Sequence, residues 1–360
     1  MKIKRILPFL LLIMLALFTQ APISHASEFN FAVTPTIPEN QIDKSKTYYD
    51  LAMTPGQQQT LETVLRNDTD KEVKVAMSTA SATTNINGVV EYGKNAIKAD
   101  KSLKYNLANY TELPKEVLLK PHTESIVKIK VTMPNETFDG VMAGGITFKE
   151  VKDTAQTDSS SDEKGLAIKN EYSFVVALLM RQSEKIVPAN LVLNTVKPDQ
   201  INARNVILSD LQNDRMTYIN QVAVDAEITQ KGDKQVLYSE HKDGLQIAPN
   251  STFSLPVSLK GDPLKPGDYH IKIIAYGNKN TDGQFTRGKD VHYKDRWILE
   301  KDFTIDGTKA KELNKKDASI KKDNTWIFVL IGILLLLLVL FILWFIWRKK
   351  KKDEEEQKEE

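Results

Sequence analysis

The chain has 360 residues, with 49 Lys and Arg against 47 Asp and Glu, five His and no Cys. Without cysteine, thiol nucleophiles, thiolate metal sites and disulfides are all excluded. Setting aside three basic residues among the first five positions, and six basic and six acidic residues after Trp347, leaves 40 basic and 41 acidic residues between the ends. That balance argues against a nucleic-acid binder, which needs a basic surplus.

At the N-terminus, Lys2, Lys4 and Arg5 precede an apolar run from Ile6 to Phe18, and Ser24 and Ala26 are the small residues a signal peptidase requires just before its cut. Residues 1–26 therefore read as a signal peptide, and the mature chain starts at Ser27. Period-two alternation follows. Val73, Val75 and Met77 share one face, as do Val127, Ile129, Val131 and Met133, while Lys128, Lys130 and Thr132 take the other.

The segment around Val141 to Phe148 also reads as a strand, yet Gly140, Gly144 and Gly145 lie within or beside it, next to a turn bearing Asp139. Two readings stand open. The glycines mark a bulge or a crowded contact that only hydrogen fits, or they expose flat backbone to which a ligand hydrogen-bonds. On the second reading Asp139, Gly140, Gly144 and Gly145 are the ligand-binding candidates.

Asp153 to Lys164 is an acidic, serine-bearing loop. Tyr172 to Met180 reads as a closing strand that pairs back on Val141 to Phe148. It is apolar on both faces, which implies cover on both sides, and an interface with a second domain is one way to supply it. The first domain thus spans 27–186, with its boundary near Lys185 to Pro188; a cut at the acidic loop is the alternative.

From 187 to 306 the alternation resumes in the rows Val222, Val224, Ala226, Ile228, then Phe253, Leu255, Val257, Leu259, then Tyr269, Ile271, Ile273, Ala275. A weak repeat relates the halves: Leu65, Asn67 and Asp68 correspond to Leu211, Asn213 and Asp214, and Pro121, Thr123 and Glu124 to Pro249, Ser251 and Thr252. The expected fold is all-β, two tandem immunoglobulin-like β-sandwich domains plus one C-terminal transmembrane helix.

Residues 307–325 are polar and Lys-rich and read as a stalk. Residues 326–347 carry no charge and span about 33 Å as a helix, enough for the hydrocarbon core. Trp326, Trp344 and Trp347 sit at the ends of this span, and Arg348 to Lys352 follow. The positive-inside rule puts the tail, 348–360, in the cytoplasm, giving a single-pass type I protein of the cell membrane. No LPxTG-like sequence lies between Lys309 and Asn324, so the membrane rather than a covalent wall bond is expected to hold the chain.

Catalytic patterns are missing. His122, His241, His270 and His292 are scattered, and no H-E-x-x-H, G-x-S-x-G or P-loop occurs. S-x-x-K occurs at Ser161/Lys164, Ser239/Lys242 and Ser319/Lys322, without the S-D-N and K-T-G elements a penicillin-binding enzyme also needs. Asp68, Asp70 and Glu72 lack calcium-loop spacing. Tyr48, Tyr49, Tyr105, Tyr110 and Tyr218 could stack on sugars if exposed in one row. No enzyme activity and no cofactor are expected.

The stretch Phe29-Asn30-Phe31-Ala32-Val33-Thr34-Pro35-Thr36-Ile37-Pro38-Glu39-Asn40-Gln41, then Tyr48-Tyr49-Asp50-Leu51 with Pro55-Gly56-Gln57, and Phe138-Asp139-Gly140-Val141-Met142-Ala143-Gly144-Gly145-Ile146, resembles the WxL-interacting proteins of Gram-positive bacteria. The order of signal, two β domains, helix and basic tail is similar as well. The resemblance implies a peptidoglycan-binding first domain, a second domain that contacts host extracellular proteins, and work with secreted WxL-domain surface proteins, the ectodomain facing the cell wall. The expected function is a non-catalytic envelope scaffold or adhesion protein. The alternative is a chaperone-like assembly factor for secreted subunits that acts by strand addition.

Overall fold

The computed structural model describes residues 29–151, 172–320 and 325–356. The signal-peptide reading and the acidic loop Asp153 to Lys164 lie outside them. The described residues are mostly β-strand, in two sandwiches in series, with a short and a long helix near the C-terminal end.

In the first sandwich, β1 (Ala32–Pro35), β3 (Gln58–Asn67), β9 (Thr123–Thr132) and β7 (Thr111–Glu112) form one sheet in that order. The facing sheet runs β2 (Tyr49–Ala52), β11 (Ser173–Arg181), β10 (Met142–Glu150), β4 (Val73–Ser81), β8 (Glu116–Leu119). The alternation read from the sequence is the alternation of burial: Val127, Ile129 and Val131 in β9, and Val73, Val75 and Met77 in β4, all face the core. Each such side chain contributes about 1.5–3 kcal/mol by leaving water. A small hairpin, β5 (Thr83–Thr84) with β6 (Val90–Glu91), opens a long excursion that ends in the 3-10 turn Leu107–Tyr110.

In the second sandwich, β12 (Val192–Ile201), β13 (Arg204–Asn213) and β16 (Ser251–Ser258) face a five-stranded sheet. That sheet is ordered β15 (Val236–Ile247), β14 (Ile219–Gln230), β17 (Gly267–Lys279), β19 (Val291–Ile305), β18 (Phe285–Arg287). The sequence repeat is a repeated corner. Asn67 is fully buried where β3 ends, and its amide donates to the carbonyls of Lys71 (2.7 Å), Leu119 (3.2 Å) and Lys120 (3.0 Å). Asn213 does the same where β13 ends, donating to Thr217 (2.7 Å) and Ala248 (3.0 Å). Across each corner a hydroxyl, Thr123 or Ser251, donates to the carbonyl three residues back, and the residue before it, His122 or Asn250, has positive φ. Buried main-chain carbonyls need partners, and one asparagine per sandwich supplies them.

The closing strand pairs as expected, from Met142↔Met180 to Lys149↔Ser173. The stalk does not form as expected. Gly307–Lys316 is a helix, α1, capped by the Asp306 carboxylate on the N–H groups of Thr308 and Lys309. Ala310 and Leu313 are sealed in the second core. Asn314 exchanges hydrogen bonds with the Leu264 main chain, and Asp317 accepts the Asn205 N–H at 2.7 Å. Two apolar residues three apart make too short a pattern to read as amphipathic, yet they suffice to dock a capped helix. Residues 307–320 therefore belong to the second sandwich. Beyond them stands α2 (Thr325–Glu356), within which Ile327–Arg348 is long and apolar enough to cross a membrane.

Candidate functional site

The glycine segment lies in the interior. Gly144 and Gly145 are buried in β10, between β11 and β4, so their main chain is engaged on both sides. A methyl group at Gly144 would overlap the Ala80 carbonyl and come within 2.5 Å of Leu107 Cδ2; at Gly145 it would lie 2.8 Å from Tyr92 Cβ and 3.0 Å from the Val176 carbonyl. Leu107 closes the inner face and Tyr92, from the excursion, lies on the outer one. The ligand-binding reading of these two glycines is corrected on this ground: no open backbone remains for a ligand.

Asp139 and Gly140 serve the junction between the sandwiches. Gly140 has φ +97°, and a Cβ there would overlap the Met216 carbonyl, which accepts the Val141 N–H at 2.8 Å. Asp139 takes Lys185 Nζ at 2.6 Å and Ser183 Oγ at 3.2 Å, tying down the segment that leads to β12. The Lys185 ammonium holds the Asp139 carboxyl below its ordinary range, aided by Ser183 against a smaller effect of desolvation.

What the sequence did not reveal is how the excursion from Ala82 to Asn106 joins the halves. Thr84 Oγ1 meets Ser251 Oγ at 2.8 Å and accepts the Ala248 N–H at 2.9 Å; Gln246 N–H donates to the Gly88 carbonyl at 2.8 Å. Asn250 donates to the Ser102 carbonyl, Gln212 donates to Asp100 at 2.7 Å, and Thr252 donates to the same carboxylate. Burial pushes the Asp100 carboxyl up, but the hydrogen bonds from Thr252, Ser102 and Gln212 together hold it below its ordinary value. Ala82, Val90, Val141, Ala143, Leu179 and Ala248 form the apolar part of this seam. The outer face of β11 is thus covered at Leu179, but Val175 remains 44% exposed.

Two openings flank the excursion. A cleft of ≈ 370 Å³ runs beneath it, lined by small hydroxyls such as Ser78 and Ser81, by Asn95 and Asn106, and by Lys94 and Lys98. On the open side of the first sandwich, a groove of ≈ 850 Å³ separates β1 from the first half of β11, with Tyr48 and Tyr92 in its walls.

The remaining sequence candidates disperse. Tyr49 and Tyr105 are buried in the first core, and Tyr218 hydrogen-bonds to Tyr92 at the seam, so the five tyrosines form no exposed row. His122, His241 and His270 each meet a single aspartate, Asp70, Asp225 and Asp302. Asp68 bonds to Arg66 instead of converging with Asp70. Among the described residues, no three His, Asp or Glu side chains gather to hold a metal.

The described residues thus form two β-sandwiches joined by a seam, followed by a helix long and apolar enough to cross a membrane. The chain belongs to the WxL interacting protein family: residues 31–150 match its peptidoglycan binding domain and residues 163–315 its host binding domain. No curated protein matches it. Solved structures similar to it include the class 5 fimbriae chaperone CfaA, at 12% identity and TM-score 0.30, covering 76% of this chain and 99% of that one. The E. coli chaperone DraB is similar at 15% identity and TM-score 0.27, covering 77% and 96%.

Proposed function

We propose that this protein is a non-catalytic envelope adhesin. It is held at the cell membrane by residues 326–347 with the tail inside, grips peptidoglycan through its first sandwich, and presents its second to host proteins while it binds a WxL-domain surface protein. The observation that carries this reading is the order along the described residues: a peptidoglycan-binding family segment, a host-binding one, then a helix long and apolar enough to cross a membrane.

We place the wall contact in the cleft beneath the excursion. Hydroxyls and amides there suit sugar hydroxyls and N-acetyl groups, and Lys94 and Lys98 on its rim suit the carboxylates of wall stem peptides. Replacing both lysines with alanine should weaken pulldown on purified peptidoglycan about tenfold with no change in thermal midpoint. Undiminished retention would place the wall contact elsewhere.

A further inference from the structure

We propose that the unoccupied edge of β11 accepts a β-strand from the WxL-domain partner, in the half of the sheet position that β2 leaves empty. The proposal rests on the reading that this chain binds such a protein. Along one side β11 is paired to β10 from Ser173 to Met180, but on the other β2 covers only Leu178 to Arg181. The Arg181 carbonyl accepts the Met53 N–H at 3.0 Å, which fixes the residues whose main chain points to that side. Counting back by twos through an unbroken register puts the N–H and C=O groups of Val175 and Ala177 on the same edge. The Leu178↔Tyr49 pair places the Tyr49 N–H on the Ala177 carbonyl, so among the described residues the groups of this edge left without a main-chain partner are the N–H of Ala177 and both the N–H and the C=O of Val175.

The opposite wall of the groove is an edge of a different kind. Thr36 N–H donates to Glu62 across to β3, so the same alternation turns Val33 and Pro35 of β1 toward the groove. Pro35 has no N–H to give, the usual way an edge is closed to pairing. β11 has no such block. Its edge carries the exposed Val175 and borders Phe174, Tyr48 and Tyr92, while Glu91 and Lys94 are the charged side chains that line the groove.

The occupant follows from what the edge lacks. Alternating N–H and C=O groups over five residues, about 16 Å at ~3.3 Å per residue, are satisfied together by another extended main chain of L-residues. Sugar rings do not carry that spacing, and wall stem peptides, which mix D- and L-residues, do not keep side chains alternating between two faces. A short, uncharged strand with an apolar residue at every second position fits both the edge and the aromatic walls.

Hydrogen exchange at single-residue resolution tests this on the full chain in detergent, with and without purified WxL-domain protein. The amides of Val175 and Ala177 should slow at least tenfold on binding, whereas those of Phe174 and Val176, already bonded to β10, should not change. Val175→Pro, which removes one edge donor, should weaken the partner at least tenfold; if that variant melts early, the wild-type exchange pattern decides alone. Binding without protection at positions 175 and 177 overturns strand addition and leaves the WxL reading standing. Failure to bind overturns both, and protection by peptidoglycan but not by the WxL-domain protein assigns the edge to the wall polymer and ends the proposal.

Discussion

Gly144→Ala separates packing from ligand binding more sharply than any other single change in the first sandwich. The new methyl group would meet the main chain of β4 at Ala80 and Ser81, as well as the Leu107 side chain, in the middle of a central strand. Alanine gains about 0.5–1 kcal/mol over glycine through lower chain entropy. Overpacking against backbone that cannot swing aside costs about 3 kcal/mol, so the net loss is about 2 kcal/mol. For a domain of this size that lowers the thermal midpoint by roughly 4–8 °C. Calorimetry on the purified chain, with peptidoglycan pulldown at a temperature where the variant is still folded, reads both quantities. A midpoint within about 1 °C of wild type, combined with lost pulldown, would refute the packing account and restore Gly144 as a ligand contact.

Two further outcomes follow from the corrected C-terminal boundary and from the seam. Leu313→Ala should destabilise the second sandwich by about 2–4 kcal/mol, because a side chain only 4% exposed leaves a cavity; an unchanged melting curve would mean that α1 is not docked. Asp100 has a folded-state pKa below its ordinary 3.8, so as pH falls the unfolded chain takes up the proton first. Its contribution is complete above that ordinary value and is lost as pH drops through the lower folded one. The gap in thermal midpoint between wild type and Asp100→Asn should therefore narrow from about pH 6 to about pH 3, and a constant gap would remove the Asp100 charge from the energetics of the seam.

Most of the fold was written in local pattern. Alternation at Val127, Ile129 and Val131, or at Ile271 and Ile273, is a direct readout of which face is dry, because side chains on a strand have a period of two. The repeat around Asn67 and Asn213 was visible as sequence, though not as chemistry; the buried amides that close each corner show only once the loops they serve are in place. The purpose of the glycine segment was open in the sequence, since a glycine that lets Tyr92 approach a sheet closely and one that admits a ligand look alike in one dimension. The stalk failed for the opposite reason. Polar composition dominated residues 307–325, while docking depended on Ala310, Leu313 and two hydrogen bonds between the Asn314 side chain and the main chain of Leu264, 50 residues away. The seam was the least legible part, because Asp100, Thr84 and Ser102 are ordinary loop residues until the second sandwich supplies Thr252, Ser251 and Asn250 opposite them.

The pairing of β11 bears on how such proteins diversify. The host-binding family segment begins at residue 163, ahead of β11, yet that strand completes a sheet whose other members lie in the peptidoglycan-binding segment. Recombination at the junction of the two segments would deliver the strand to a new neighbour and leave the old sheet one member short. A cut that keeps the first sandwich whole therefore has to fall after Arg181, inside the host binding family segment, rather than at the start of that segment.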